Sequence, residues 1–191
     1  MPAAQQSVMH GLLVMTIIGP DRPGLVERLA ATIADHGGNW LESRMAHLGG
    51  EFAGILRVEV PAENEQALLA ALRTLAAHGL SVHVQPDRTV PPVVTGGLAV
   101  IELVGHDRPG IVRQISQILA TYQVNVEELA THCASAPMSG EMLFHATARV
   151  RLPDLLPLAK LRAALEQIAS DLMVDISVMP EHSSGPAARS P

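Results

Sequence analysis

Hydrophobic and polar residues are arranged along the chain in a pattern that occurs twice. Leu12–Ile18 is a short apolar run rich in strand-forming residues, which is typical of a central strand covered by helices. In residues 23–36, apolar side chains recur at helical spacing until Gly37-Gly38 ends the segment. A run of the same kind begins again at Leu98 and is followed by the same helical spacing. The pattern predicts a strand and then a helix in each half of the chain.

A direct repeat of the sequence explains this duplication. Residues 13–26 read LVMTIIGPDRPGLV and residues 99–112 read AVIELVGHDRPGIV, an offset of 86 residues. The correspondence continues to Asn39 and Asn125, after which the second copy contains an insertion of about four residues within 134–140. Repetition at this length indicates two copies of one small fold.

The remaining segments of each copy complete a βαββαβ order. In the first copy, Asn39–Leu48 and Glu51–Val60 form a hairpin joined at Gly49-Gly50, and a helix over 63–77 precedes a last strand at Leu80–Val84. The corresponding segments of the second copy are 125–134, 141–150, 155–169 and 172–179. Right-handed crossovers place both helices on one face of the sheet. The predicted fold class is α+β, with two tandem ferredoxin-like domains packed as a pseudo-dimer.

The domain boundaries follow from the Pro-rich and Gly-rich residues between the copies, which indicate a linker. After Met179 the chain is polar and built of small residues, which is typical of disorder. The predicted organisation is an N-terminal extension over 1–11, a first domain over 12–86, a linker over 87–97, a second domain over 98–179 and a disordered tail over 180–191.

Composition and charge narrow the functional classes. The chain has 191 residues, 48% of them hydrophobic, yet no uncharged apolar stretch of about 18 residues that could span a bilayer. The N-terminus lacks a secretory signal and the single cysteine, Cys133, fits a reducing compartment, so a cytoplasmic location is predicted. The net charge of -6 and the scattered basic residues argue against direct binding of nucleic acid.

The turn between the first strand and the first helix of each copy carries the candidate chemistry. Pro23 suits the first helical position, and Gly24 leaves the first-turn N–H groups uncovered, so that with the helix dipole they form a receptor for a carboxylate. Asp21 either caps the helix or accepts a hydrogen bond from a ligand ammonium group. Gly19 permits a sharp turn, and the side chain of Asn39 offers a hydrogen-bond donor and an acceptor towards the same helix start.

Together these groups match the two charged ends of an amino acid, and they occur in both copies. The predicted ligand-binding residues are Gly19, Asp21, Gly24, Leu25, Asn39, Gly105, Asp107, Gly110, Ile111 and Asn125. The alternative is that Gly, Asp and Pro only build a well-capped strand-to-helix turn, and that the two Asn residues only end the helix.

Other clusters of reactive residues carry a weaker signal. His132, Cys133 and His145 form the best candidate metal cluster, but no C-x-x-C or H-x-x-x-H spacing occurs, so no metal is predicted. No acid–base pair stands at a suggestive spacing, and the glycine-rich nucleotide motifs are absent. The sequence therefore predicts neither a catalytic site nor a cofactor.

The motif G-x-D-R-P-G, followed 15 residues after its last glycine by Asn, resembles the ligand-binding loop of ACT domains. The resemblance covers both copies and implies small-molecule sensing on a βαββαβ fold. Two ACT domains with nothing else attached are similar to bacterial transcriptional regulators of the glycine cleavage system. This likeness implies a repressor that senses glycine or a related amino acid and controls a DNA-binding activator by protein contact.

The resemblance does not identify the ligand. Serine-responsive ACT domains carry His two residues before the Asp or Asn of this loop, where this chain has Gly19 and Gly105. An alternative function is a ligand-free ACT scaffold or assembly module that pairs with an enzyme or with itself. Formation of a homo-oligomer is compatible with both functions.

Overall fold

The chain folds as two compact units that divide between Pro92 and Val93. The computed structural model describes residues 9–87, 96–136 and 140–181. Most of the predicted N-terminal extension, linker and tail, at 1–8, 88–95 and 182–191, lies outside the described residues.

Each unit contains one four-stranded sheet and two helices. The first unit consists of β1 (His10–Pro20), α1 (Leu25–Asp35), β2 (Asn39–Leu48), β3 (Glu51–Pro61), α2 (Glu65–Thr74) and β4 (Ser81–Pro86). The second consists of β5 (Leu98–His106), α3 (Ile111–Thr121), β6 (Asn125–Ser135), β7 (Met142–Arg151), α4 (Leu158–Leu172) and β8 (Val174–Pro180). The strand orders are β2-β3-β1-β4 and β6-β7-β5-β8, with every neighbouring pair antiparallel. The predicted βαββαβ fold is confirmed in both copies.

The helices bury one face of each sheet. On β1 the residues that point inward alternate with partly or fully exposed ones, as expected for a strand with one covered face. The buried core of the first unit is Leu13, Met15, Ile17, Leu29, Ile33, Leu56, Val58, Val60, Leu68, Leu72, Leu75 and Leu80. Val26 lies on the predicted apolar stripe of α1 but is exposed, because it lies to one side of the stripe that Leu29 and Ile33 bury.

Two helix starts differ from the sequence prediction. Helix α1 begins at Leu25 rather than Pro23, because Gly24 has φ 90° and ψ 0°, the values that the third position of a type II turn requires after proline. Helix α4 begins at Leu158 rather than at residue 155, because Pro157 is extended with φ -63° and ψ 135°. Both prolines therefore lie just outside their helices.

The hairpin of each copy contains the same irregularity and a different connection. Leu41 and Glu127 are the extra residues of a β-bulge, each on the outermost strand β2 or β6 of its sheet. Phe52 on β3 and Phe144 on β7 each lie opposite a residue that has the same place in the repeat. The repeated residues before the connection are 86 positions apart, whereas these two phenylalanines are 92 positions apart. The insertion is thus six residues rather than four, and its residues 137–139 lie outside the described part of the chain.

An arginine crosses the uncovered face of each sheet. Arg57 on β3 reaches over β1, and its Nε donates to Oδ2 of Asp87, just after β4, at 2.6 Å. The side chain of Asp87 is only 2% exposed. Arg149 and Glu181 form the corresponding pair at 2.7 Å, with the Glu181 side chain 30% exposed. The two pairs link the last segment of each unit to β3 or β7.

The turn after the first helix is expected to limit the stability of the second unit. Gln123 has φ 54°, a left-handed conformation, where the first copy has Gly37 with φ 70°. Because a side chain is strained in this conformation, Gln123→Gly is expected to raise the free energy of unfolding by about 1 kcal/mol in urea denaturation. The matched change Gly37→Gln should lower it by a similar amount. A destabilising Gln123→Gly would contradict the assigned backbone strain.

Candidate functional site

The motif turn of each copy is bonded to the far end of the β-hairpin. The backbone N–H of Asp21 donates to the carbonyl of Gly50 at 2.9 Å, and that of Asp107 donates to the carbonyl of Met142 at 3.1 Å. The turn, the start of the helix and the hairpin end thus meet at one end of each sheet. This meeting point is the candidate site.

The first helical turn at this point has no side-chain cap. In both copies the glycine before the helix is left-handed, with φ 90° at Gly24 and 97° at Gly110, and a Cβ built on either would meet nothing within 4 Å. Among the residues that the structure describes, no side chain caps the start of α1 or α3 by a hydrogen bond, so the interpretation of Asp21 as a helix cap is wrong. The first N–H groups of a helix have no partner within it, and here they begin at Leu25 and Ile111.

Each motif aspartate instead faces a residue of the outermost strand. Oδ2 of Asp21 lies 3.7 Å from Nε2 of His47, and both side chains are about half exposed. In the second copy Cys133 occupies the place of His47, opposite Phe144 on the neighbouring strand. Cys133 is exposed, yet desolvation by its surroundings, then the charge of Asp107 and a hydrogen bond to it, raise the pKa of the thiol.

His47 is a neighbour of the motif that was not predicted from the sequence. The two-residue turn at Gly49-Gly50 fixes the register of the hairpin, and this register places His47 opposite Phe52. Because Asp21 is bonded to Gly50, that register also brings His47 to Asp21. The hairpin register was the signal that could have identified this residue.

The two predicted asparagines lie at the opposite end of their sheets. Asn39 is opposite Glu59, which is itself opposite Leu12, whereas Asp21 follows the other end of β1. Nine residues of strand separate the two ends, a distance of about 30 Å. Asn125 is placed in the same way relative to Asp107. Within one domain, therefore, the predicted grouping of Asn with the motif turn is wrong.

Gly19 and Gly105 serve a close backbone approach rather than a sharp turn. Both lie in regular strands, β1 and β5. A Cβ at Gly19 would come closer than 3.0 Å to the carbonyl oxygen of Gly79, and one at Gly105 would come within that distance of Met173 and Val174. Their packing role is the same in both copies and does not require a ligand.

The candidate metal cluster is divided between the two faces of the sheet. His132 and His145 are directly opposite on β6 and β7, with parallel rings whose centroids are 4.7 Å apart. Cys133 is the next residue on β6, so its side chain points to the other face of the sheet. Among the described residues, no group of three or more His, Cys, Asp or Glu side chains could hold a metal ion.

None of the helices in residues 9–87, 96–136 and 140–181 is long and apolar enough to cross a membrane.

Comparison with known proteins gives matches along nearly the whole chain. The family model "ACT domain" matches residues 11–85 and 98–179. The glycine cleavage system transcriptional repressor of Escherichia coli K12 is 23% identical over 170 residues, which cover 87% of this chain and 88% of that protein.

Solved structures show the same two-domain fold. An unknown protein from Galdieria sulphuraria has a TM-score of 0.81 and 29% identity, covering 91% of this chain and 100% of its own. A candidate glycine cleavage system transcriptional repressor has a TM-score of 0.68 and 21% identity, covering 92% and 99%. With both repeats matched by the family model, this chain belongs to the ACT domain family.

Proposed function

We propose that this protein is an amino-acid-responsive transcriptional regulator without a catalytic site of its own. In this proposal it represses the glycine cleavage system by contact with a DNA-binding activator protein, and glycine is the first candidate ligand. The ligand carboxylate binds the first-turn N–H groups of α1 or α3. The ligand ammonium group binds Asp21 or Asp107.

The observation that carries this proposal is the duplicated, uncapped helix start beside an aspartate. In both copies the aspartate comes four residues before the first residue of the helix. The helix start is complementary to a carboxylate and the aspartate to an ammonium group, the two charged ends of an amino acid. Full-length similarity to a transcriptional repressor, at 23% identity, supports the regulatory role.

An indirect mode of action is supported by the charge of the chain. The net charge is -6, and a protein that binds DNA by itself neutralises phosphates with a cluster of basic side chains. A protein partner supplies DNA contact without such a cluster. The same charge is compatible with a cytoplasmic regulator.

Amino acid binding is expected to depend on the two motif aspartates. Isothermal titration of the full chain with each of the twenty amino acids should identify a ligand, with glycine tested first. The double variant Asp21→Asn and Asp107→Asn is expected to weaken binding at least about tenfold, because each change removes a charged hydrogen-bond acceptor. Thermal unfolding with and without ligand gives an independent measure, because a ligand of the native state raises its stability.

Asp35→Asn is the matched control, since Asp35 is exposed at the other end of α1. This variant should bind as the native protein does. Equal affinity of the double variant and the native protein would place the site elsewhere.

A ligand-free ACT scaffold that pairs with an enzyme or with itself is the second candidate function. The close backbone approaches at Gly19 and Gly105 favour this second function, because packing alone explains why these motif positions are glycine. If no amino acid at millimolar concentration gives a binding signal in calorimetry or a shift in Tm, the scaffold function replaces the regulatory one.

A further inference from the structure

An apolar groove lies in the second unit between helix α3 and the face of the sheet that the helices cover. Twelve residues line it, among them Ile101, Ile115, Ser116, Val126, Leu129 and Ala148. Ser116 is the only one of the twelve with a polar side chain. The space that the centre of a water molecule can occupy measures about 40 Å³, whereas about 10–15 Å³ is enough to hold one water. Because a water inside would find hardly any hydrogen-bonding partner, the groove favours an apolar occupant.

The groove arises because the second unit has smaller side chains at three positions of the repeat. The replacements, matched by strand register, are Trp40 by Val126, Met45 by Thr131 and Leu56 by Ala148. In the first unit both Trp40 and Met45 pack against the buried core. Leu129 in the place of Ser43 and one added methyl group at Ala146 restore part of the lost volume. The space that an indole ring fills in the first unit is thus left open in the second.

The burial of matched residues shows the same difference. Leu29 of α1 is fully buried, while Ile115, at the same place on α3, is only partly buried. Val126 is 42% exposed and Leu129 is 50% exposed, although both point to the covered face of the sheet. The buried residues of the second unit form two clusters, with Ile115 packed against both, whereas those of the first unit form one. The core of the second unit is therefore incompletely filled beneath α3.

We propose that this groove binds a small, uncharged aromatic molecule of about the size of the indole ring that Trp40 supplies in the first unit. The ring enters between α3 and β6, where Val126 and Leu129 leave the covered face open. None of the twelve described lining residues carries a charge, so a zwitterionic amino acid would lose hydration here without gaining a partner. The ligand class thus differs from that of the proposed function, and the inference does not rest on that function.

Indole is the probe that tests this site directly in the full chain. Calorimetric titration is expected to show one site with a Kd below about 1 mM, a modest affinity for so small a ligand. Methyl NMR spectra locate the site without any substitution. The signals of Ile115 and Leu129 should shift on addition of indole, while that of Leu29, in the matched position of the first unit, should not.

Two substitutions fill the groove from different sides. Val126→Trp restores the residue of the first unit at the mouth, and Ala148→Leu restores the inner one. Each is expected to abolish the binding of indole. Ala130→Trp is the matched control, because Ala130 lies on the same strand, β6, but is exposed on the other face of the sheet. This variant should bind indole as the native chain does.

Three results would overturn the inference. The first is that indole at millimolar concentration does not bind the native chain, and the second is that its methyl shifts lie outside the groove or that both filling variants bind it unchanged. The third is a dimer of the native chain that Val126→Trp dissociates, because the groove would then be an interface between two copies. Titration with glycine tests the proposed function separately, and its failure would leave the indole result standing.

Discussion

Gly19→Ala is expected to lower the free energy of unfolding of the first domain by about 3 kcal/mol, a large fraction of the stability of so small a unit. The added Cβ would lie closer than 3.0 Å to the carbonyl oxygen of Gly79, a backbone atom in the turn just before β4. Relief requires β1 to move away from the start of β4. In thermal unfolding the corresponding fall in Tm is roughly 15 °C.

Two further alanine variants provide a control and a comparison for the expected effect of Gly19→Ala. Gly97→Ala is the control, because its Cβ would meet nothing within 4 Å, and its effect should stay below about 0.5 kcal/mol. Gly105→Ala should cost at least as much in the second domain, because two of the three atoms that its Cβ would meet below 3.0 Å are backbone atoms of Met173 and Val174. If Gly19→Ala unfolds within 0.5 kcal/mol of the native chain, the close approach is not a constraint.

The second large effect is expected from Arg57→Met, which removes the guanidinium partner of a buried carboxylate. Asp87 is 2% exposed and accepts from Arg57 at 2.6 Å. Loss of one partner of a buried ion pair costs several kcal/mol, and partial exposure of Arg57 reduces the expected loss to about 2 kcal/mol in urea denaturation.

The other ion pairs provide graded controls for this prediction. Arg149→Met should cost less, since Glu181 is considerably more exposed than Asp87. Arg44→Met removes a pair with Glu42 in which both side chains are more than half exposed, and should change stability by less than about 0.5 kcal/mol. The double variant Arg57→Met and Asp87→Asn should recover part of the loss. Equal effects of the three single arginine changes would refute the role of burial.

The fold was predictable because the repeat, the apolar periodicity and the turn residues all indicated the same elements. Gly49-Gly50 predicted the hairpin, and the 86-residue offset predicted the second copy. The start of α1 was misplaced by two residues, because Pro-Gly serves both as a helix start and as the centre of a type II turn. Only the backbone angles of Gly24 distinguish these two uses.

The site was less predictable because it depends on contacts between distant segments. The importance of Gly19 was visible from its repetition, but its reason lies in Gly79, sixty residues later. Asn39 was assigned to the motif turn as the first residue of a neighbouring strand, although the strand register places it at the far end of the sheet. His47 was overlooked for the same reason, since register rather than separation along the chain brings it to Asp21.

The bulges at Leu41 and Glu127 limit the length over which an additional strand could pair with the outermost strand of each sheet. An outermost strand offers unpaired N–H and C=O groups that invite uncontrolled growth of the sheet into aggregates. Each bulge breaks the regular spacing of these groups near the beginning of β2 or β6. A foreign strand could therefore form an uninterrupted ladder only with residues 42–48 or 128–135. Each bulge thus limits regular pairing along the outermost strand to seven residues of β2 and eight of β6.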